Sequence, residues 1–287
     1  LSRAPYIKDV FPWVDFFHTA LVAHVDLSVL VWFLAFGGVF WSLNSTPRWL
    51  PLGWAALALA SAGAVVITLA PCAGAAHPIM SNYIPVLDDP LFLVGLLAFA
   101  LGITLLVGRS MIAIPPVGPW AEGVGALRFG LNAAAVSACF ALIAFVWSFS
   151  LMPPFLNGKA YYELLFWGGG HVLQFTYTLL MLVAWLWLAS ASGIRLRMTP
   201  RVALIFFLLG LLTVFLVPLI YYSYGIQSVE HVRLFTWLMA YGGSLASLPL
   251  GLAIWHGLLY GGDTPVAARA LRAALITSVV LFGIGGG

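Results

Sequence analysis

The chain has 287 residues, 63% of them hydrophobic and 7% charged, against roughly 25% charged in ordinary soluble domains. With a mean hydropathy of +1.06, most of its surface must face lipid, which excludes a soluble globular domain. The net charge of +3 belongs to Lys and Arg in the connections of a membrane chain and reports topology, so no nucleic-acid partner is expected.

The N-terminal stretch Leu1 to Asp15 carries charges without an apolar core and does not read as a signal peptide. Long uncharged runs then predict spans at Phe16 to Leu43, Leu50 to Ala70, Leu91 to Val107, Phe129 to Met152, Leu164 to Ala191, Val202 to Tyr222 and Leu234 to Leu259. An eighth run begins near Ala273 and stops at Gly287, roughly half the length a span needs. The chain therefore reads as a single transmembrane domain, 1–287, cut short at its C-terminus. Turn-forming residues separate the runs, among them Asn44-Ser45-Thr46-Pro47, Asp88-Asp89-Pro90, Pro115-Pro116, Pro153-Pro154 and Gly261-Gly262-Asp263. Backbone in hydrocarbon must bond to itself, so the runs are helices. The expected fold class is all-α: a polytopic transmembrane bundle of about eight spans in the lipid bilayer, without an internal repeat. Cys72 and Cys139 read as small apolar fillers.

The connections alternate between two sides. Arg48, Arg109, Arg128, Arg195, Arg197, Arg201, Arg269 and Arg272 fall on one, and Arg3, Lys8, Lys159 and Arg233 on the other. The richer side is expected in the cytoplasm, which places the N-terminus outside a bacterial inner membrane. On that map His18, His24, His77, His171 and His231 lie at or near the outer side, and only His256 near the inner one.

Several polar residues sit where lipid should exclude them. Asp26 lies about 12 Å deeper than His18 and about 80° round the same helix, with His24 pointing elsewhere, so the three form no single tight cluster. Either they serve a proton or metal site, or His18 is interfacial and Asp26 is hydrogen-bonded to a neighbouring helix. His171 follows Gly168, Gly169 and Gly170 and shares its helix face with Gln174 and Thr178. The glycines leave room for a neighbouring helix or a flat cofactor, and imidazole suits iron or copper. Tyr177 lies in the same stretch. Tyr221, Tyr222 and Tyr224 read as an aromatic belt or as part of a polar network. Glu230, His231 and Arg233 read as a solvated loop with a charge pair, and His77 as a loop residue.

Four stretches together resemble the catalytic subunit of the heme–copper oxidase superfamily (cytochrome c oxidase subunit I), nearest its nitric oxide reductase and C-type branches. His18-Thr19-Ala20-Leu21 resembles the start of the family's second helix; Trp167-Gly168-Gly169-Gly170-His171 resembles the start of its sixth. Tyr221-Tyr222-Ser223-Tyr224-Gly225, followed by Ser244-Leu245-Ala246-Ser247-Leu248-Pro249-Leu250, resembles the seventh-to-eighth helix region, and Phe282-Gly283-Ile284-Gly285-Gly286-Gly287 the glycine-rich end of a later helix. The resemblance implies an oxidoreductase of respiratory electron transport, with His18 as axial ligand of a low-spin heme and His171 as first ligand of copper or non-heme iron. It also implies partner membrane subunits and a cytochrome donor on the outer side.

The sequence departs from the family at Leu219-Ile220, where the family has the adjacent histidines that complete the copper or iron site, and at Phe175, where many oxidases have a tyrosine. Heme binding is thus expected without a complete centre for oxygen or nitric oxide reduction. A scaffold or assembly subunit that keeps the oxidase fold is the alternative. A transporter is disfavoured by the expectation of mostly unbroken helices.

Overall fold

Among the described residues, eight helices are long and apolar enough to cross a membrane: α1 (Phe16–Leu43), α2 (Leu50–Ala73), α3 (Pro90–Ile112), α4 (Gly123–Ser150), α5 (Gly158–Ala191), α6 (Pro200–Ser223), α7 (Val229–Tyr260) and α8 (Val266–Ile284). The chain is thus a multi-pass, all-helical membrane protein. The computed structural model describes residues 15–73, 77–116, 118, 123–262 and 265–285. Arg3, Lys8, Asp263, Gly286, Gly287 and the stretch 1–14, all used in the sequence reading, lie outside the described residues.

The helices start at caps rather than at the last charged residue. Asp15 accepts from the His18 amide, Asp89 from Phe92 and Ser228 from His231, each satisfying an amide that the first turn leaves free. Hence α7 begins at Val229 rather than Leu234; α5 begins at Gly158 rather than Leu164, without a side-chain cap bond at Asn157. The charged residues that were read as loop lie in first turns, so Glu230-His231-Arg233 is helix, not a solvated connection.

The expectation of unbroken helices also needs correction. A π turn spans Asp26–Val31 in α1 and another Leu238–Gly242 in α7. Helix α6 breaks at Phe215-Leu216, because Pro218 has no N–H to offer the Val214 carbonyl. None of these changes the apolar composition, so hydropathy does not register them.

Helix α5 runs through the centre of the bundle, with half of its 34 residues buried, whereas α8 is mostly exposed. It packs along α4, whose facing residues are mostly alanine and whose Ser137 accepts from Thr176 at 3.0 Å. The α2–α3 pair is as close as backbones allow: a Cβ on Gly63 would collide with the Phe99 backbone, and one on Gly102 with that of Ala60. At the end of the bundle where α1 finishes, buried Arg109 donates to the carbonyls of Thr46 (2.9 Å) and Trp49 (3.2 Å). At the opposite end the α2–α3 connection forms a two-stranded antiparallel hairpin, β1 (His77–Ile79) and β2 (Val86–Asp88), against the start of α1.

Candidate functional site

The first half of α5 organises a buried aromatic cluster. Its three glycines each admit one ring from a different element: Gly168 receives Tyr221 of α6, Gly169 receives Phe145 of α4 and Gly170 receives Tyr83 of the β1–β2 hairpin. A Cβ at any of the three would collide with that ring. The cradle is therefore filled by protein side chains.

His171, the next residue, is 2% exposed. Its Nδ1 lies 2.7 Å from the Trp167 carbonyl oxygen, and its ring packs against Tyr83 (4.7 Å between centroids), Trp167 (4.7 Å) and Phe235 (5.7 Å). A second buried imidazole, His231 at the start of α7, meets Tyr221 edge-on at 4.9 Å and Phe235 at 4.9 Å. Its Nδ1 has no partner among the described residues. Tyr221 stacks on Trp147 at 4.9 Å; its hydroxyl donates to the Ala144 carbonyl (3.1 Å) and shares a 2.7 Å bond with Ser148.

Tyr83 reaches Gly170 through a strained loop. Its φ of 69° lies in the left-handed region, and the Ile84 amide donates to the Asn82 carbonyl at 2.9 Å across it, the pattern of the rare γ-turn. Ser81 Oγ closes the loop on the Ile84 carbonyl at 2.6 Å. Burial, and then the negative charge of Glu163, push the Tyr83 phenol above its ordinary range, so the ring sits over His171 as a neutral cap.

The other predicted residues lie apart from this cluster. His18 is exposed in the first turn of α1, its Nδ1 2.6 Å from Asp15 Oδ2. His24 is exposed and lines a shallow groove with Leu27, Ser28 and Trp32. Asp26 is fully buried as the first residue of the π turn, and neither carboxylate oxygen has a partner among the described residues; buried Thr19 Oγ1 likewise has none. Tyr177 stacks on Phe33 of α1 at 4.9 Å, whereas Tyr222 is 88% exposed. Gln174 and Thr178 open into a cleft on the side of α5 toward α7 and α8. Leu219 is 59% exposed, and Ile220 is buried.

Two members of the cluster escaped the sequence reading. His231 carried a signal, since the Ser228 cap and the i,i+4 pair His231–Phe235 mark a helix start with a buried face. Tyr83 carried none: its role depends on a turn conformation and a contact with a distant helix. As a metal centre the cluster does not fit. Among the described residues no group of three His, Cys, Asp or Glu side chains is placed to hold a metal ion, and two imidazoles are short of the three or four ligands that soft divalent metals take.

The chain has bacterial relatives. It is 26% identical over 277 residues to uncharacterized protein RP382 of Rickettsia prowazekii (strain Madrid E), covering 86% of this chain and 53% of that one. It is 27% identical over 289 residues to an uncharacterized protein of Aquifex aeolicus (strain VF5), covering 99% of this chain and 69% of that one. The chain thus spans about half the length of the Rickettsia relative. No family model and no solved structure matches it significantly.

Proposed function

We propose that this chain is a divergent oxidase-type subunit I that carries a heme through His18 in a respiratory electron-transfer complex of a bacterial inner membrane, with the His18 end outside. The observation that carries this reading is the Asp15–His18 pair. A carboxylate 2.6 Å from Nδ1 accepts a hydrogen bond from Nδ1–H, which fixes the tautomer and leaves the lone pair on Nε2, the arrangement that suits an imidazole to a metal. His18 would hold the iron and Asp15 would orient His18; the heme when bound would supply a one-electron carrier for a cytochrome donor on the outer side. Asp15 doubles as the cap of α1, so the ligand and the helix start share one anchor. No step of oxygen or nitric oxide reduction follows, because the cluster around His171 lacks a ligand set.

A reduced-minus-oxidised spectrum of the purified protein tests the reading. His18→Ala should abolish the low-spin heme band and His171→Ala should leave it. Asp15→Asn should keep the band with a shifted midpoint potential. A wild-type protein without heme, or a band unchanged by His18→Ala, overturns the assignment. Copper at one atom per chain would overturn the exclusion of a metal at His171.

The filled glycine cradle favours a second reading, a scaffold or assembly subunit that keeps the bundle without the metals. It is distinguished by absence of heme together with retained co-purification of partner membrane subunits.

A further inference from the structure

Between α5, α7 and the second half of α8 lies a cleft of about 680 Å³, within the range of small-molecule sites. From Gly168 to Leu180 every residue of α5 is buried except Gln174 and Thr178, and both line this cleft. Several other hydroxyls of the bundle bond back to their own helix, as Thr68 does to Ala64 (2.7 Å), Thr104 to Ala100 (2.8 Å) and Ser247 to Gly243 (2.9 Å). Thr178 makes no such bond, and Gln174 has no hydrogen-bond partner either among the described residues.

Their depth decides what can satisfy them. Gln174 sits at the midpoint of α5, Gly158–Ala191, near the centre of a hydrocarbon layer roughly 30 Å thick. Phospholipid headgroups and ester carbonyls stay at its edges, acyl chains carry no acceptors, and polar groups left unpaired at this depth are costly. A ligand must therefore dissolve in the bilayer and bring acceptors with it. Gln174 and Thr178 offer two donors one helical turn apart, roughly 5–6 Å, a spacing suited to two carbonyl oxygens on opposite sides of one ring. The walls are aromatic, with Phe175 on α5 and the Trp185–Phe282 pair edge-to-face at 5.5 Å, while Gly243 and Gly251 keep the α7 side flat. No imidazole, carboxylate or thiolate lines the cleft, which disfavours a metal or a cation.

We propose that this cleft binds the head ring of a lipid-soluble quinone, with its carbonyl oxygens accepting from Gln174 Nε2 and Thr178 Oγ1 and its tail leaving between α7 and α8 into the bilayer. The site is separate from His18 on α1, so it stands or falls independently of the heme assignment.

The test is titration of the full chain, in nanodiscs of one synthetic phosphatidylcholine, with a short-tailed ubiquinone or menaquinone analogue. Trp185 and Trp255 line the cleft and report occupancy by fluorescence quenching; a photoreactive azidoquinone followed by peptide mapping reports position. Wild type should bind saturably and label α5 and α7. Gln174→Leu and the shape-matched Thr178→Val should each weaken binding about tenfold, as loss of one hydrogen bond implies. Gly251→Leu has room at its Cβ, with Trp185 at 3.7 Å, so it should fold with the cleft filled and bind no quinone. All three should retain whatever heme spectrum the wild type shows, which serves as the folding control. Absence of saturable quenching in wild type, equal affinity in wild type and all three variants, labelling confined to other helices, or a tetrapyrrole recovered from the cleft would overturn the proposal.

Discussion

The contact between Tyr83 and Gly170 can be tested by a double-mutant cycle. A Cβ at Gly170 would run into the Tyr83 Cβ and ring. The ring cannot swing aside, because the Tyr83 Cβ itself is part of the contact and its backbone is pinned by the Ser81 and Ile84 bonds. The hairpin must move as a unit, so Gly170→Ala should destabilise by about 1–3 kcal/mol, the range for overpacking. Tyr83→Gly removes a half-buried ring, on the order of 100 Å² or ~2.5 kcal/mol, and relieves left-handed strain of about 1 kcal/mol, for a net loss of roughly 1–2 kcal/mol. In that background Ala at position 170 meets no ring, and its better helix propensity should stabilise by up to about 1 kcal/mol. The coupling energy is then about 1–4 kcal/mol. Unfolding of the four proteins in mixed micelles of rising SDS fraction measures it, with accessibility of His171 to diethylpyrocarbonate as a local readout. Additive effects within about 0.5 kcal/mol would refute the placement of Tyr83 in the cradle.

Tyr221→Phe removes the donor to Ala144 and the bond with Ser148 and should cost about 1 kcal/mol, typical of an interhelical bond in a membrane; an unchanged unfolding midpoint would count against that bond. Arg109→Gln frees the carbonyls of Thr46 and Trp49, so proteolysis of the α1–α2 connection should rise with about 1–3 kcal/mol of lost stability. For Tyr83 the folded state disfavours the phenolate, so hairpin stability is intact below the ordinary phenol range near 10 and falls as pH rises beyond it. Glu163→Gln removes the charge that adds to burial and should move the phenolate signal, isolated by subtracting the Tyr83→Phe spectrum, to lower pH; no movement would remove Glu163 as a cause.

Lipid made the spans legible, because a helix that crosses hydrocarbon must be apolar along its length, and all eight predicted runs are helices. It made their ends illegible for the same reason. Charge marks where water begins, whereas the backbone continues to its cap, which is how His231 was assigned to a loop. The glycine run at 168–170 announced that something approaches closely, but the three arrivals come from the β1–β2 hairpin, α4 and α6, and long-range contacts leave no mark in local spacing. The left-handed turn at Tyr83 was similarly hidden, since nothing in Ser81-Asn82-Tyr83-Ile84 requires it. For His18 the local sequence was sufficient: Asp15 lies one turn earlier, at the spacing that both caps a helix and reaches its first imidazole.

Asp26 presents the sharpest contrast between folding and use. Its two oxygens are sealed in α1 between buried Val22 and Leu30, and neither has a hydrogen-bond partner among the described residues. A polar group held this way costs about 1–3 kcal/mol relative to an apolar one of similar size. Asp26→Leu should therefore stabilise the purified protein by about that amount, and Asp26→Asn, which keeps a polar group in the same place, by much less. The same SDS titration decides it. If Asp26→Leu unfolds earlier than wild type, the carboxyl has a bond on which the folded state depends, and the buried group is structural. If it unfolds later, the chain keeps a carboxyl in hydrocarbon at a cost to its own stability, and function is the usual reason such residues persist in membranes.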